Sequence, residues 1–472
     1  MNAYMRIFGA VALACSLPLA ANAQTSTGVT LPAVFTDHMV LQQQSQVPVW
    51  GWGDASATVR VVGSWNVADT VSTQVDDNGH WMVKLPTGRY GGPYTLEVLS
   101  TEHIVIKDVM LGEVWLCSGQ SNMEWTPNNG IADAQKEIAG ATYPGIRFFS
   151  LKKRGSRSPQ EDCQAQWEQC TPDVMRRRSA TAYFFGRELQ RAMDGDVPVG
   201  LIVSAWGGTP AEVWVPRDSV MRYPAIADAL LPQTYPWWPT QPGVLYNSMI
   251  HPLMPYGIAG AIWYQGESNR DNPSSYLQLM KELIASWRTG FGHEFPFYLA
   301  QIAPYNYNAR NSGPALVREA QERITHEVRN TGMAVTVDVG DPGNIHPARK
   351  QVVGARLASL ALGQHYGVPG IDFLCPTYQR MTVKGSKAII HFNHAERGLT
   401  CPDKEVRGVM MADEDGYFVP AKASIKGSTL VVSSPQVKVP VAVRYCFDDA
   451  TLGNLYHRNG LPVAPFRTDG GR

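Results

Sequence analysis

The stretch Leu111-Gly112-Glu113-Val114-Trp115-Leu116-Cys117-Ser118-Gly119-Gln120-Ser121-Asn122-Met123 sets a serine hydroxyl directly after a short apolar run. An apolar strand that ends in a Gly-Gln-Ser-Asn turn delivers a side chain to the top of a sheet. Serine is a weak nucleophile until a base takes its proton and hydrogen-bond donors receive the charge on the attacked carbonyl. The chemistry this turn points to is therefore acyl transfer. A serine ahead of a helix also serves as an ordinary N-cap, so the turn alone leaves both roles open.

Three further segments carry the groups such a site needs, and each follows a β-rich run. In an open α/β sheet such loops converge beyond the carboxyl ends of the strands. Gly207-Gly208-Thr209 follows Leu201 to Ala205; paired glycines let backbone N–H groups approach an oxyanion, and they also make plain tight turns. Ile262-Trp263-Tyr264-Gln265-Gly266-Glu267-Ser268-Asn269 puts amide and carboxyl groups directly after a strand, where a side-chain amide either donates to an oxyanion or bonds local backbone. Asp338-Val339-Gly340-Asp341-Pro342-Gly343-Asn344-Ile345-His346-Pro347 follows Ala334 to Val337. His346 is placed there as a general base, with Asp338 and Asp341 the nearby carboxylates that can hold its tautomer. A lone histidine in such a loop is equally a structural hydrogen-bonding group.

The elements that must hold these loops follow from periodicity. Residues 108–368 alternate apolar strands (198–203, 334–337) with helical stretches (182–193, 276–287, 350–363), which reads as an α/β domain with a parallel sheet. Residues 24–107 read as short strands and turns, an antiparallel sandwich-like module with Pro48 at a sheet edge and Asp76-Asp77-Asn78-Gly79 as a turn. Strands return over 369–472. The two β-rich flanks read either as separate modules or as halves of one composite sandwich.

Bulk composition narrows the function class. The 472 residues are 44% apolar and 17% charged, with 41 basic against 41 acidic side chains. Two or three domains are expected, with no electrostatic footprint for nucleic acid or an anionic membrane. Arg176-Arg177-Arg178 before Tyr183-Phe184-Phe185 reads as a helix entry. Residues 1–23, with Arg6, an apolar run from Ile7 to Ala20 and Ala21-Asn22-Ala23, read as a secretory signal peptide cleaved after Ala23. The expected location is periplasmic or secreted; a lipoprotein reading at Cys15 leaves a very short apolar core. No later segment approaches the roughly 20 apolar residues of a membrane span. Cleavage leaves Cys117, Cys163, Cys170, Cys375, Cys401 and Cys446. An exported chain permits disulfides, and Cys163–Cys170 and then Cys375–Cys401 are the expected pairs, with Cys117 a buried thiol. No Cys/His cluster has zinc-like spacing.

Gly119-Gln120-Ser121-Asn122-Met123, Trp206-Gly207-Gly208-Thr209, Trp263-Tyr264-Gln265-Gly266-Glu267-Ser268-Asn269 and Asn344-Ile345-His346-Pro347 occur in the order seen in sialate O-acetylesterase-like proteins of the SGNH (GDSL-like) hydrolases, which this chain resembles. The resemblance extends to Asp37-His38-Met39-Val40-Leu41-Gln42 and to Gly460-Leu461-Pro462 with Pro465-Phe466-Arg467. It implies a three-layer α/β/α esterase core, flanked by β-sandwich-like regions, that uses no cofactor and no metal. By position, Ser121 is the implied nucleophile and its N–H one oxyanion donor. Gly208, ahead of Gly207, supplies a second N–H, Gln265 or Asn269 the side-chain donor, and His346 the base. One position departs. SGNH enzymes usually carry the acid three residues before the histidine, and here that residue is Gly343. Asp341, a backbone carbonyl that makes a Ser-His dyad, and Asp338 stand as alternatives.

The implied activity is a carbohydrate O-acetylesterase. Its substrate is an acetylated glycan, either O-acetylated sialic acid or a plant cell-wall polysaccharide such as xyloglucan or xylan. Tyr235, Trp237 and Trp238 in one loop, and Tyr305 and Tyr307 in another, are rings that either stack on sugars or simply pack their loops. Arg318 is a candidate cation for a sialic carboxylate, with a structural ion pair as the alternative reading. The reading from a different class is a non-catalytic glycan-binding protein that works through its β-rich flanks and is indifferent to Ser121.

Overall fold

The computed structural model describes residues 28–193, 195–229, 237–308 and 312–470. The expected leader over residues 1–23, with Cys15, and Tyr235 lie outside the described residues. The first seven strands are β1 (Val40–Gln42), β2 (Gln46–Trp52), β3 (Thr58–Gly63), β4 (Val71–Gln74), β5 (His80–Pro86), β6 (Gly91–Leu99) and β7 (His103–Gly119). β7 is 17 residues long and changes character midway. Its first half alternates exposed and buried positions, as a strand with one wet face does, and from Leu111 to Gly119 every residue is buried. The first half pairs antiparallel with β6 and, near its end, parallel with β1. The second half is the middle strand of a parallel sheet. The boundary expected at residues 107/108 thus falls inside one continuous strand.

That sheet adds β8 (Tyr143–Ser150), β9 (Trp167–Cys170), β10 (Val199–Ala205), β11 (Gly260–Tyr264), β12 (Phe297–Ala300) and β13 (Thr331–Ala334). Its order is β13-β12-β11-β7-β10-β8-β9, with β9 antiparallel at the edge and the others parallel. Successive side chains of a strand point to opposite faces, and β7 feeds two cores in turn. Val114 and Leu116 join Tyr276, Leu279 and Leu283 of the helix Pro273–Phe291 and Val317 of the helix Gly313–Glu327. Trp115 and Cys117 join Phe184, Phe185 and Leu189 of the helix Ala180–Ala192 and Val353 and Leu357 of the helix Lys350–Leu360. Three layers result. Local signals set the helix ends: the Ser179 side chain accepts from Ala182 N, Pro273 occupies the first turn, and Gly292 closes its helix at φ +75°.

The flanks are separate modules. The core of the N-terminal module, with Val49, Val61, Val83 and Val98, is continuous with the Val114/Leu116 side of the α/β domain. Pro48 lies on β2, which pairs with β5 in a two-stranded sheet, so its missing N–H faces no ladder partner. The C-terminal region packs two four-stranded sheets over its own core, which includes Ile390, Met411, Val432 and Val443. Met333, Val335 and Val337 enter that core too. This corrects the strand expected over 334–337: β13 ends at Ala334, and the chain beyond it turns towards the C-terminal module. Arg177 and Arg178 both pair with Glu168 just before the helix Ala180–Ala192. Among the described residues no helix is long and apolar enough to cross a membrane.

Both expected disulfides are corrected, because among the described residues all six cysteines are free. Cys163 packs against one side of the central sheet and Cys170 is buried in the core on the other side. Cys375 is buried in the C-terminal core, while the Cys401 thiol points at the Glu405 carbonyl. Burial pushes the Cys163 and Cys170 thiols up to about 12, so neither is a ready thiolate.

Gly119 ends β7 at φ +138°, and a Cβ there would lie 2.2 Å from the Tyr264 carbonyl oxygen. Gly119→Ala is expected to destabilise the fold by about 2–4 kcal/mol through backbone strain and overpacking. The check is a lower urea midpoint at unchanged m; an unmoved midpoint would contradict this account of the turn.

Candidate active site

The parallel register brings three turns to one height. Ala205 of β10 and Tyr264 of β11 both stand opposite Gly119 of β7. Gln120 N donates to Tyr264 O at 3.0 Å and Trp206 N to Gly119 O at 3.1 Å, which stitches the turns together where they leave the sheet. Ser121 opens a single helical turn, Ser121–Glu124. His346 arrives from the far edge, on the loop after β13. That loop is tied down by the paired contacts of Asp338 with Arg356, 2.7 Å each, and by Ala132 N donating to Ala348 O at 2.8 Å.

His346 Nε2 lies 2.9 Å from Ser121 Oγ. The Trp125 indole stacks on the imidazole at 3.7 Å between centroids and 15° between planes. Burial, and secondarily the positive charge of Lys350, lowers the His346 pKa to about 4, so the ring is neutral at pH 7 and able to accept a proton. Serine and histidine sit in a cavity of about 500 Å³, whose walls include Gln120, Trp125, Gly208, Trp238, Glu267 and Arg270.

Two backbone donors face this cavity. Gly208, at φ +82°, is reached only by a residue without a Cβ, because one would lie 2.6 Å from Trp238 ring atoms. Among the described residues no acceptor is found for the N–H of Ser121 or of Gly208. Gly207 differs: its N–H donates to Glu124 Oε2 at 2.7 Å.

Gln265 and Asn269, expected as side-chain donors, are corrected. Gln265 Nε2 donates to Thr209 O at 3.3 Å and Asn269 Oδ1 at 2.7 Å. Asn269 Nδ2 reaches both oxygens of the buried Glu212 at 3.0 Å. Their amide hydrogens are committed, and the two side chains hold the backbone that follows the glycine turn, at Thr209 and Ala211, while Ser268 Oγ donates to Gly208 O at 2.9 Å. The amide left to the cavity is that of Gln120. Its Oε1 accepts from Gly266 N and Ser268 N, both at 3.3 Å, which leaves Nε2 as the donor end. Nothing beyond its place beside Ser121 marked it in the sequence.

Behind the serine lies a buried polar chain that residue types alone did not reveal. Asn122 Nδ2 donates to Glu267 Oε1 at 2.6 Å and to Ile345 O at 3.1 Å, while Asn122 Oδ1 accepts from Lys350 Nζ. Lys350 is fully buried, and burial lowers its pKa to about 7. Burial raises the pKa of Glu267, whose Oε2 has no hydrogen-bond partner among the described residues. One amide thus joins the serine turn, the strand-end carboxylate and the histidine loop.

The carboxylates expected behind His346 lie elsewhere. Asp341 is exposed and its Oδ1 accepts from Gly343 N at 2.8 Å. Asp338 is held by Arg356. Among the described residues no carboxylate is bonded to His346 Nδ1, and Asn344 Oδ1 accepts from His346 N at 2.9 Å to shape the turn. Arg318 is also corrected as a carboxylate-binding cation: it is 1% exposed and donates to the carbonyls of Cys446, Asp448 and Asp449. Tyr305 and Tyr307 pack edge to face and bond Asp449 through their backbones. Trp238 lines the cavity.

Fold and site define a carboxylic ester hydrolase with a three-layer α/β/α core. Residues 111–362 match the family model for carbohydrate esterases, sialic acid-specific acetylesterase, and the chain belongs to that family. It is 30% identical to sialate O-acetylesterase from Homo sapiens, over 95% of each chain. It is 31% identical to the Mus musculus protein, over 93% of this chain and 94% of that one. The crystal structure of a carbohydrate acetylesterase from Xanthomonas citri superposes with a TM-score of 0.85 at 34% identity, covering 94% of this chain and 100% of that chain.

Two outcomes follow from this geometry. Asparagine at 341 still accepts from Gly343 N, so Asp341→Asn is expected to keep kcat within about threefold of wild type, whereas a loss of about a hundredfold would put the carboxylate behind the histidine. Proton abstraction needs neutral His346, so kcat/KM falls as pH drops through its pKa near 4. Lys350→Met removes the neighbouring positive charge, raises that pKa and moves the acid limb to higher pH; a pH-rate profile with an unmoved limb would uncouple Lys350 from the base.

Proposed function

We propose that this chain is an exported carbohydrate O-acetylesterase that works through an acetyl-Ser121 intermediate. The observation that carries the reading is the 2.9 Å contact of Ser121 Oγ with a neutral, stacked His346 in a cavity of about 500 Å³. His346 takes the Ser121 proton as Oγ attacks the acetyl carbonyl. The N–H groups of Ser121 and Gly208 and the Gln120 amide receive the oxyanion. His346 then protonates the departing sugar hydroxyl, and a water attacks the acetyl-serine by the same steps in reverse order. With Asp341 and Asp338 engaged elsewhere, serine and histidine act as a dyad whose ring is held by Trp125. Export rests on the leader pattern of residues 1–23, and the substrate is an acetylated glycan. The aromatic walls Trp125 and Trp238 suit a neutral polysaccharide such as xyloglucan or xylan better than a sialic carboxylate.

The test is acetate release from acetylated xyloglucan, acetylated xylan and O-acetyl sialic acid, using protein recovered from the periplasm or medium and checked for a Gln24 amino terminus. Ser121→Ala is expected to lower release by at least about a thousandfold. A folded wild type that releases acetate from none of the three overturns the esterase reading. Glycan binding that persists without release would favour the non-catalytic alternative.

A further inference from the structure

A second cavity, of about 330 Å³, is also lined by Trp238. Its walls include Gly155, Ser156, Arg157, Pro239 and Gln241. Trp238 is the residue it shares with the serine-histidine cavity, so the two cavities adjoin at one indole. We propose that this second cavity is a glycan subsite. On the reading that Ser121 deacetylates a glycan, it holds the sugar ring next to the one that bears the acetyl group, and the substrate is a neutral chain rather than a single sugar.

The site is built on fixed backbone. Trp238 packs on the Gly208 backbone so closely that a Cβ there would lie 2.6 Å from its ring. Trp206 Nε1 donates to Trp237 O at 3.0 Å, which anchors the same segment to the residue after β10. Trp237 stands edge-on to Trp238 at 5.7 Å and is 63% exposed. The opposite wall is pinned by Ser156 N donating to Val244 O at 2.9 Å and Asn247 Nδ2 donating to Ser156 O at 3.2 Å.

The chemistry of the walls names the occupant. A pyranose has an apolar face of C–H groups and a rim of hydroxyls. An indole matches the face. A guanidinium and a side-chain amide match the rim, with donors in a planar fork from Arg157 and a donor and an acceptor from Gln241. Arg157 and Gln241 are exposed, and among the described residues neither side chain has an ion-pair or hydrogen-bond partner. Arg157 is the one charged side chain on these walls and it is exposed, so its guanidinium donates to the hydroxyls of a neutral chain while it stays hydrated. The joint at Trp238 sets the order along the chain: the acetylated ring meets Ser121, and the next ring crosses the indole.

The experiment compares kcat/KM per acetyl group on acetylated xylose, acetylated xylotriose and acetylated xylohexaose. Wild type is expected to gain about tenfold from the monosaccharide to the trisaccharide, the value of one stacked ring with two or three hydrogen bonds. That gain is expected to shrink to about twofold or less in the Arg157→Ala/Gln241→Ala double variant and in Trp238→Ala. Each variant's own rate on acetylated xylose is its reference, so a general loss of activity does not imitate the effect. Equal kcat/KM on short and long substrates in wild type overturns the proposal, as does a gain that survives in both variants. Binding of unacetylated xylohexaose to Ser121→Ala, measured by calorimetry and weakened by Arg157→Ala/Gln241→Ala, reports the subsite independently of turnover. Failure of acetate release with binding intact would therefore strike the esterase reading and leave the subsite standing.

Discussion

The structure depends on β7 being two strands in one. Its first half must tolerate water on one face, and its second half must be buried on both. The sequence meets both demands by changing pattern at Leu111, from a stretch that carries Lys107 and Asp108 to a largely apolar one whose polar members, Glu113 and Ser118, are buried and hydrogen-bonded. Because the backbone does not break there, the N-terminal module and the α/β domain share a rigid element and a continuous core. The height of Ser121 above the sheet is then fixed by the register of β7 against β10 and β11. A slip of one residue would exchange Trp115 and Cys117 with Val114 and Leu116 between the two faces, which both cores forbid.

Above that strand the architecture substitutes buried polar groups for loop stiffness. Glu212, Glu267 and Lys350 are each at most 2% exposed, and a buried charge is costly unless it is paired or hydrogen-bonded. Each is instead wired to an amide: Asn269 and Asn272 to Glu212, and Asn122 to Glu267 and Lys350. An amide offers two donors and an acceptor in one plane, so a single asparagine fixes three loops at once. Asn122 does this for the serine turn, the Glu267 turn and the His346 loop. A site assembled from strands as distant as β7 and β13 is thereby held before substrate arrives, as oxyanion stabilisation requires.

What was legible in the sequence follows the range of the interactions. The parallel α/β core, its helices and the four converging loops were readable because apolar periodicity and glycine-rich strand ends are local signals. Ser121 stood at a marked strand end, but the strand read ahead of His346 was misplaced, and it was the order of the four motifs in the resembled family that singled out the pair. The side-chain donors and the third member could not be named. Gln265, Asn269, Asp341 and Asp338 have the residue types the chemistry wants, but their actual partners, Thr209, Glu212, Gly343 N and Arg356, depend on tertiary placement. Gln120 escaped notice because a glutamine in a turn carries no pattern. The cysteine pairs misled for a related reason: seven residues apart along the chain, Cys163 and Cys170 fall on opposite faces of the sheet.

A histidine with Trp125 on its face and, among the described residues, no carboxylate behind it is a weaker base than a triad histidine, and Lys350 weakens it further. The chemistry proposed here tolerates that. Expelling a sugar alkoxide from a tetrahedral intermediate asks for less proton donation than expelling an amide nitrogen. A histidine of low pKa is also a stronger acid once protonated, so it returns its proton to the leaving oxygen readily. The burden then shifts to the oxyanion donors, and that is where the fold spends its precision: the braced Gly208 turn, the fixed Ser121 turn and the Gln120 amide held by two backbone N–H groups. Electrostatic preorganisation of this kind is usually the largest single contribution to such catalysis. An ester-cleaving site can therefore forgo the third member of a triad provided the loops that hold its donors do not move, and the buried Asn122 and Asn269 networks are what keep them still.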